Sequence, residues 1–191
     1  LTDSPSDALY DEMTEYFNRQ NKPMSLWLWD DLAMWHNYLD NSLLPHTEVN
    51  LGMYATADML QIRTALPEGF AVKAVQTTAD VFNFSMVMSS VFGQSAEAEN
   101  VRAYYAALSQ TGFFQADNLR YFIGLKGGRP VSCGSITINN DSIGIYDIST
   151  LETERNRGFG SAIFHYILKF AAQYPQHLCV LQASPAGAGI Y

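Results

Sequence analysis

The sequence predicts an α/β protein built on a mixed sheet with helices on both faces, and three observations predict it. Three β-prone runs, 119–125, 131–138 and 142–150, follow one another at hairpin spacing, joined by Lys126-Gly127-Gly128-Arg129-Pro130 and by Asn139-Asn140-Asp141. Joints of that composition turn a chain back on itself and give antiparallel neighbours. The last of the three runs enters a glycine-bearing turn and then a stretch whose apolar residues recur at helical spacing from Phe159 onward. A further apolar run, Leu178 to Ala183, follows that helix. A right-handed strand-helix-strand crossover returns it parallel to the strand before the helix, so the sheet is mixed.

Taken in order, Ser4 or Ser6 can cap a helix reaching about Arg19, with Ala8, Leu9, Met13, Tyr16 and Phe17 on its apolar face. After Pro23, residues 24–29 read as a strand, Asp30-Asp31 as the cap of a helix through Leu39, and residues 49–57 as a second strand. So few elements give too little core for independent stability. The expected organisation is therefore an N-terminal segment, 1–66, docked on a domain, 67–191, with Leu66-Pro67-Glu68-Gly69 as the linker. Trp27, Trp29 and Trp35 read as core and docking residues in preference to a pocket for an acyl chain or an aromatic ligand.

Residues 70–75 supply the first strand of the domain, and Thr77 with Asp80 resembles a capping box that opens a helix through about Phe92. Gly93-Gln94-Ser95 breaks it, and residues 96–110 form the next helix with Val101, Tyr104, Tyr105 and Leu108 inward. Met86, Met88 and Phe92 read as core in preference to a site lining. The helix that starts at Phe159 places Ile163, Tyr166, Ile167, Phe170 and Tyr174 inward and Ser161, His165, Lys169 and Gln173 outward.

Composition narrows the function. The chain has 191 residues, 48% of them hydrophobic, with nineteen acidic against eleven basic side chains and a net charge of −8. That balance disfavours a duplex nucleic acid or an anionic membrane as partner and suits a cationic amine. Cys133 and Cys179 lie in apolar runs and read as reduced core thiols, which points to a cytoplasmic protein. No metal site is expected, because His36 and His46 lack partners at ligand spacing and no Cys/His cluster occurs. No run has the length of a membrane span, and the first ten residues carry no signal-peptide pattern.

The chemistry concentrates at Arg155-Asn156-Arg157-Gly158-Phe159-Gly160-Ser161. A strand that feeds a glycine turn into a helix N-terminus aims free N–H groups and the positive end of the helix dipole at one point, which favours an anion. Glycine lets a ligand approach the backbone, and Arg155 and Arg157 add charge. Taken alone, R-x-x-G-x-G also fits a surface turn whose glycines serve backbone geometry only. G-x-x-x-x-G-K-[ST] and G-x-G-x-x-G are both absent, which disfavours the P-loop and dinucleotide readings.

The same residues, with the strand before them, the long helix after them, and Leu178 to Ala183 followed by Ser184-Pro185-Ala186-Gly187-Ala188-Gly189-Ile190-Tyr191, resemble the pyrophosphate loop and cofactor strands of the GCN5-related N-acetyltransferase (GNAT) superfamily. The resemblance covers about residues 68–191. It implies acetyl-CoA as co-substrate, with no metal. Its pantetheine arm is expected on the backbone of Ile148, Ser149 and Thr150, and its pyrophosphate on Arg155, Asn156, Arg157, Gly158, Phe159, Gly160 and Ser161. Ser184 stands where many members have a cofactor-holding Asn, and Tyr191 where a Tyr often protonates the leaving thiolate.

The general base is not assigned. Gly144 occupies the position of the Glu base of some relatives, strand alternation turns Asp147 to the face opposite Gly144 and Tyr146, and Glu152 and Glu154 read as solvated. The resemblance also implies a last strand after Tyr191 that this sequence does not include, and it likens residues 1–66 to a degenerate partial copy of the fold. The implied function is transfer of an acetyl group from acetyl-CoA to the primary amine of a small molecule or peptide, by direct attack in a ternary complex, by a monomer or homodimer. The alternative is a degenerate member that binds CoA or a small ligand as a sensor or scaffold.

Overall fold

The computed structural model describes residues 4–29, 31–40, 48–175 and 177–191, with the side chain of Phe113 left aside. Two compact units divide at Glu48/Val49. In the first, Ser6 caps α1 (Asp7–Arg19) by accepting the Leu9 N–H at 3.2 Å. The second helix, α2 (Ala33–Asp40), brings Tyr38 to α1, where its hydroxyl donates to Asp7 at 2.8 Å. That carboxylate raises the Tyr38 phenol to about 12. The expected cap Asp30 and His46 lie outside the described residues.

Residues 24–29 do not form the expected strand. Their exposure alternates as a strand's would, from half-buried Met24 to exposed Trp29, but among the described residues no strand pairs with them, and a strand exists only through its ladder. Trp35 is buried, whereas Trp27 and Trp29 are exposed, so the core reading of the tryptophans holds for one of the three.

The second unit is a six-stranded sheet in the order β1-β6-β5-β4-β3-β2, made of β1 (Leu51–Ala55), β2 (Phe70–Ala74), β3 (Leu119–Lys126), β4 (Arg129–Ile138), β5 (Ser142–Thr150) and β6 (Leu178–Ala183). Neighbours are antiparallel except β5 and β6, which run parallel as the crossover requires. The sheet also takes in a strand that the sequence reading assigned to the N-terminal segment, because β1 pairs with the outer edge of β6, Leu51 opposite Ala183.

One face of the sheet carries α5 (Phe159–Ala171), whose Ile163 and Ile167 are fully buried with Phe122, Ile136, Ile143 and Ile145 beneath them. Each such side chain contributes about 2 kcal/mol through the apolar surface it removes from water. The buried stripe also includes Phe164 and Leu168, while Tyr166, expected inward, is 37% exposed and meets Phe122 edge-on. The other face carries α3 (Thr78–Ser89) and α4 (Ala96–Thr111), which bury Phe84, Tyr105 and Leu108 against Tyr121, Ile123 and Cys133. Tyr104, Met86 and Phe92, read as inward or core from the sequence, are exposed. The capping box at the start of α3 is complete, with Thr77 accepting the Asp80 N–H and Asp80 accepting the Thr77 N–H.

Candidate functional site

The site begins where β5 parts from β6. Their ladder runs only from Ser142 opposite Leu178 to Ile145 opposite Leu181, yet β5 continues to Thr150 on its β4 side. Among the described residues no strand pairs with 146–150 on the β6 side, where the Thr150 carbonyl instead accepts from Arg155. Past Thr150 the chain makes a short 3₁₀ turn, Glu152–Glu154, and enters the glycine loop. Asn156 (φ 60°) and Gly158 (φ 80°) both take the left-handed conformation, which Asn tolerates and Gly adopts freely.

Gly158 caps α5 without a side chain, so the N–H groups of Gly158, Phe159, Gly160 and Ser161 donate to no group of the chain among the described residues. The first helical bond is from the Ala162 N–H to the Gly158 carbonyl. Gly160 lies against β5 and the C-terminal segment: a Cβ there would sit 3.1 Å from Thr150 Oγ1 and 3.6 Å from Ile190 Cδ1.

Side chains around the loop hold it in place. The Arg155 Nε donates to the Thr150 carbonyl at 3.3 Å and ties the loop to the end of β5. Arg157 donates to Glu154 at 3.0 Å, and Arg129, the first residue of β4, reaches the same carboxylate at 3.7 Å. Glu154 is thus buried and not solvated as its place in a loop suggested, because two cations from different segments close over it. Phe159 stacks on Phe70 at 5.0 Å and lies under the Lys126 ammonium at 5.0 Å. Beside these residues opens a cleft of about 590 Å³ lined by Pro67, Glu68, Gly69, Lys126, Gly127, Arg157 and Phe159.

On the opposite flank of the gap, the Ser184 hydroxyl accepts the Gly187 N–H at 3.2 Å and shapes the turn after β6. Tyr191 packs edge-on against Phe164 at 4.9 Å, and burial raises its phenol above the usual range.

The main departure from sequence expectation is Asp147. Between the pairs Cys133-Ser149 and Ser135-Tyr146, Gly134 of β4 stands opposite two residues, Asp147 and Ile148. This is a β-bulge, with Asp147 at φ 60°. Ile148 packs over Gly134 on the α5 face, where a Cβ at Gly134 would meet its Cδ1 at 2.6 Å. The inserted residue breaks the alternation, so Asp147 lies on the α3/α4 face, the face of Gly144 and Tyr146 and not the opposite one. There its carboxylate accepts from Ser135 Oγ at 2.6 Å and from the Tyr105 hydroxyl at 3.4 Å. Burial pushes its carboxyl above the ordinary range, and the two hydroxyl donors pull against that shift. Gly144 has a structural reason of its own, since the Tyr146 ring occupies the space its Cβ would need, 2.5 Å away.

Fold and site together describe a mixed-sheet protein with a glycine loop and an open helix N-terminus at the parting of two parallel strands. The profile of the Acetyltransferase (GNAT) family matches residues 85–186, more than half of the chain, and the chain belongs to that family.

Its fold is similar to that of a GCN5-related N-acetyltransferase from Kribbella flavida (TM-score 0.68, 14% identity, covering 94% of this chain and 65% of that one). It is also similar to a functionally unknown conserved protein from Staphylococcus epidermidis (TM-score 0.53, 14% identity, 93% and 69% covered). A third, a GCN5-related N-acetyltransferase from Ralstonia eutropha, gives a TM-score of 0.51 at 16% identity, with 64% and 89% covered. The chain thus spans 65% of the length of the Kribbella flavida protein. No curated protein matches it.

Proposed function

We propose that this protein is an N-acetyltransferase that moves an acetyl group from acetyl-CoA to a primary amine by direct attack within a ternary complex. The observation that carries the reading is the coincidence of two features. The edge of β5 is left unpaired over residues 146–150, and the uncapped N-terminus of α5 opens at the end of that edge. The free N–H groups of Gly158 to Ser161 suit a pyrophosphate, and the unpaired edge at Ile148, Ser149 and Thr150 suits an amide-bearing arm.

The cradle fits such a co-substrate because glycine leaves the approach to the backbone clear, with Arg155, Asn156 and Arg157 around it. Ser184 is a further contact on the β6 side. Acetyl-CoA supplies an activated acyl group, and Tyr191 is the proposed donor to the departing sulfur, its raised phenol remaining protonated at neutral pH.

The test pairs the parent with Gly160→Asp. A carboxylate in the first turn of α5 favours the helix dipole by about 0.5 kcal/mol, so the apo variant melts no lower than its parent once Thr150 Oγ1 yields a few tenths of an ångström. The same carboxylate repels a pyrophosphate. At a hundredfold excess over its dissociation constant, acetyl-CoA stabilises the parent by about 2.7 kcal/mol, a rise in Tm of at least about 5 °C. The variant loses that rise. A thiol assay over a panel of primary amines then reads CoA release. A thermal shift without release from any amine overturns the enzyme and leaves a CoA-binding sensor or scaffold.

A further inference from the structure

We propose that Asp147, turned by the β-bulge onto the α3/α4 face beside the parting of β5 and β6, is the base that takes the proton of the attacking amine. The proposal rests on the acetyltransferase reading and adds the group that reading lacks.

An arm that starts at the N-terminus of α5 and follows the free edge of β5 from Thr150 to Ile148 delivers its far end, the thioester, to the next residue, Asp147. Regular alternation would point that side chain beneath α5 into a core of Ile143, Ile145 and Ile163, where a carboxylate has no partner. The extra residue opposite Gly134 prevents this. It holds Asp147 in the left-handed conformation at φ 60°, which Asp, like Asn, tolerates.

The electrostatics agree. The groups around the carboxylate are Ser135 and Cys133 from β4, Tyr105 from α4 and Tyr121 from β3, all neutral at pH 7. Among the described residues no Lys, Arg or His pairs with it. A carboxylate held by hydroxyls alone keeps its basicity, whereas a cation would quench it.

In the step, the ammonium gives one proton to the Asp147 carboxylate. The freed nitrogen lone pair forms the C–N bond as the C–S bond breaks. The departing sulfur takes a proton from Tyr191, and the second proton lost by nitrogen restores the phenol. Asp147 then returns its own proton to solvent, so each turnover yields amide, CoA thiol and one proton.

Asp147→Asn tests this, because Asn tolerates the left-handed conformation and still accepts from Ser135. With the amine that releases CoA fastest in the panel, the variant loses about a hundredfold or more in kcat/KM. Its acetyl-CoA thermal shift stays that of the parent. The parent's kcat/KM falls on the acid side as Asp147 protonates, and the variant has no such limb. Ser135→Ala and Tyr105→Phe each remove a donor to the charged form, so each moves the limb to higher pH, Ser135→Ala further because its bond is shorter. A role confined to packing would move no limb.

The side-chain carboxyl ¹³C resonance of Asp147, assigned by its loss in Asp147→Asn, supplies a readout that needs no amine: it moves when acetyl-CoA is added. If the variant keeps the acid limb, or the resonance ignores acetyl-CoA that raises Tm, Asp147 is not the base and the acetyltransferase reading stands. If acetyl-CoA gives no thermal shift and no amine releases CoA, both fall together.

Discussion

Asp80 and Asp147 are both aspartates drawn out of water on the α3/α4 face of one sheet, and they are held in opposite ways. Asp80 accepts from the Lys73 ammonium at 2.6 Å and from the N–H groups of Gln76 and Thr77 at 3.1 and 3.2 Å. Burial alone would push its carboxyl up, but those donors outweigh it and hold the group below its ordinary value. Asp147 meets two hydroxyls and, among the described residues, no cation, and there burial prevails. A cation and oriented N–H groups fix a carboxylate in its charged form and make it part of the architecture. Neutral donors oppose burial less strongly, and the carboxyl stays raised.

The largest effect on stability is expected at Asp80. Replacement by Ala removes the capping box and leaves the Gln76 and Thr77 N–H groups unpartnered, which costs about 2 kcal/mol and lowers Tm by about 4–8 °C. Since the folded carboxyl is lowered, its contribution is complete above the unfolded value of about 3.9 and is lost as pH falls through the folded one. Melting curves of parent and Asp80→Ala therefore converge in acid. The acid limb of turnover does not move. A shifted limb would erase the distinction between the two aspartates.

For Asp147 the sign reverses. Its folded carboxyl is raised, so the folded state binds the proton more tightly than the unfolded chain does. Stability declines as pH rises from about 3.9 through the folded value, and the penalty is complete above it. At pH 7 Asp147→Asn removes that penalty and melts no lower than the parent. A loss of several degrees would mark the carboxylate as a structural group like Asp80.

This contrast was only half legible in the sequence. Thr77 and Asp80 announce their capping box within four residues, because the bonds it needs are local. The three-stranded meander and the glycine loop were readable for the same reason: turn chemistry and periodicity are properties of short windows. The bulge at Asp147 leaves no such trace. It depends on Ile148 filling the space above Gly134 in another strand, and without it alternation points Asp147 to the wrong face. Glu154 is likewise buried by Arg129 from the start of β4, which no window around residues 152–157 contains. Residues 24–29 show the converse, since they have a strand's alternation and no strand partner among the described residues.

The smallest effect sharpens the comparison most. If the Lys73 ammonium alone held Asp80 in its charged form, removing it would convert Asp80 into a second Asp147. Lys73 is 48% exposed at its side chain, so solvent screens much of the pair, and Lys73→Ala is expected to lose less than about 1 kcal/mol. The Gln76 and Thr77 N–H groups remain, and they do not depend on a flexible side chain staying in place. The carboxyl of Asp80 should therefore rise in Lys73→Ala yet remain below that of Asp147, with the order read from the two carboxyl ¹³C titrations. If it rises above Asp147, backbone donors are the weaker part of the clamp, and the cation is what separates a structural carboxylate from a reactive one in this fold.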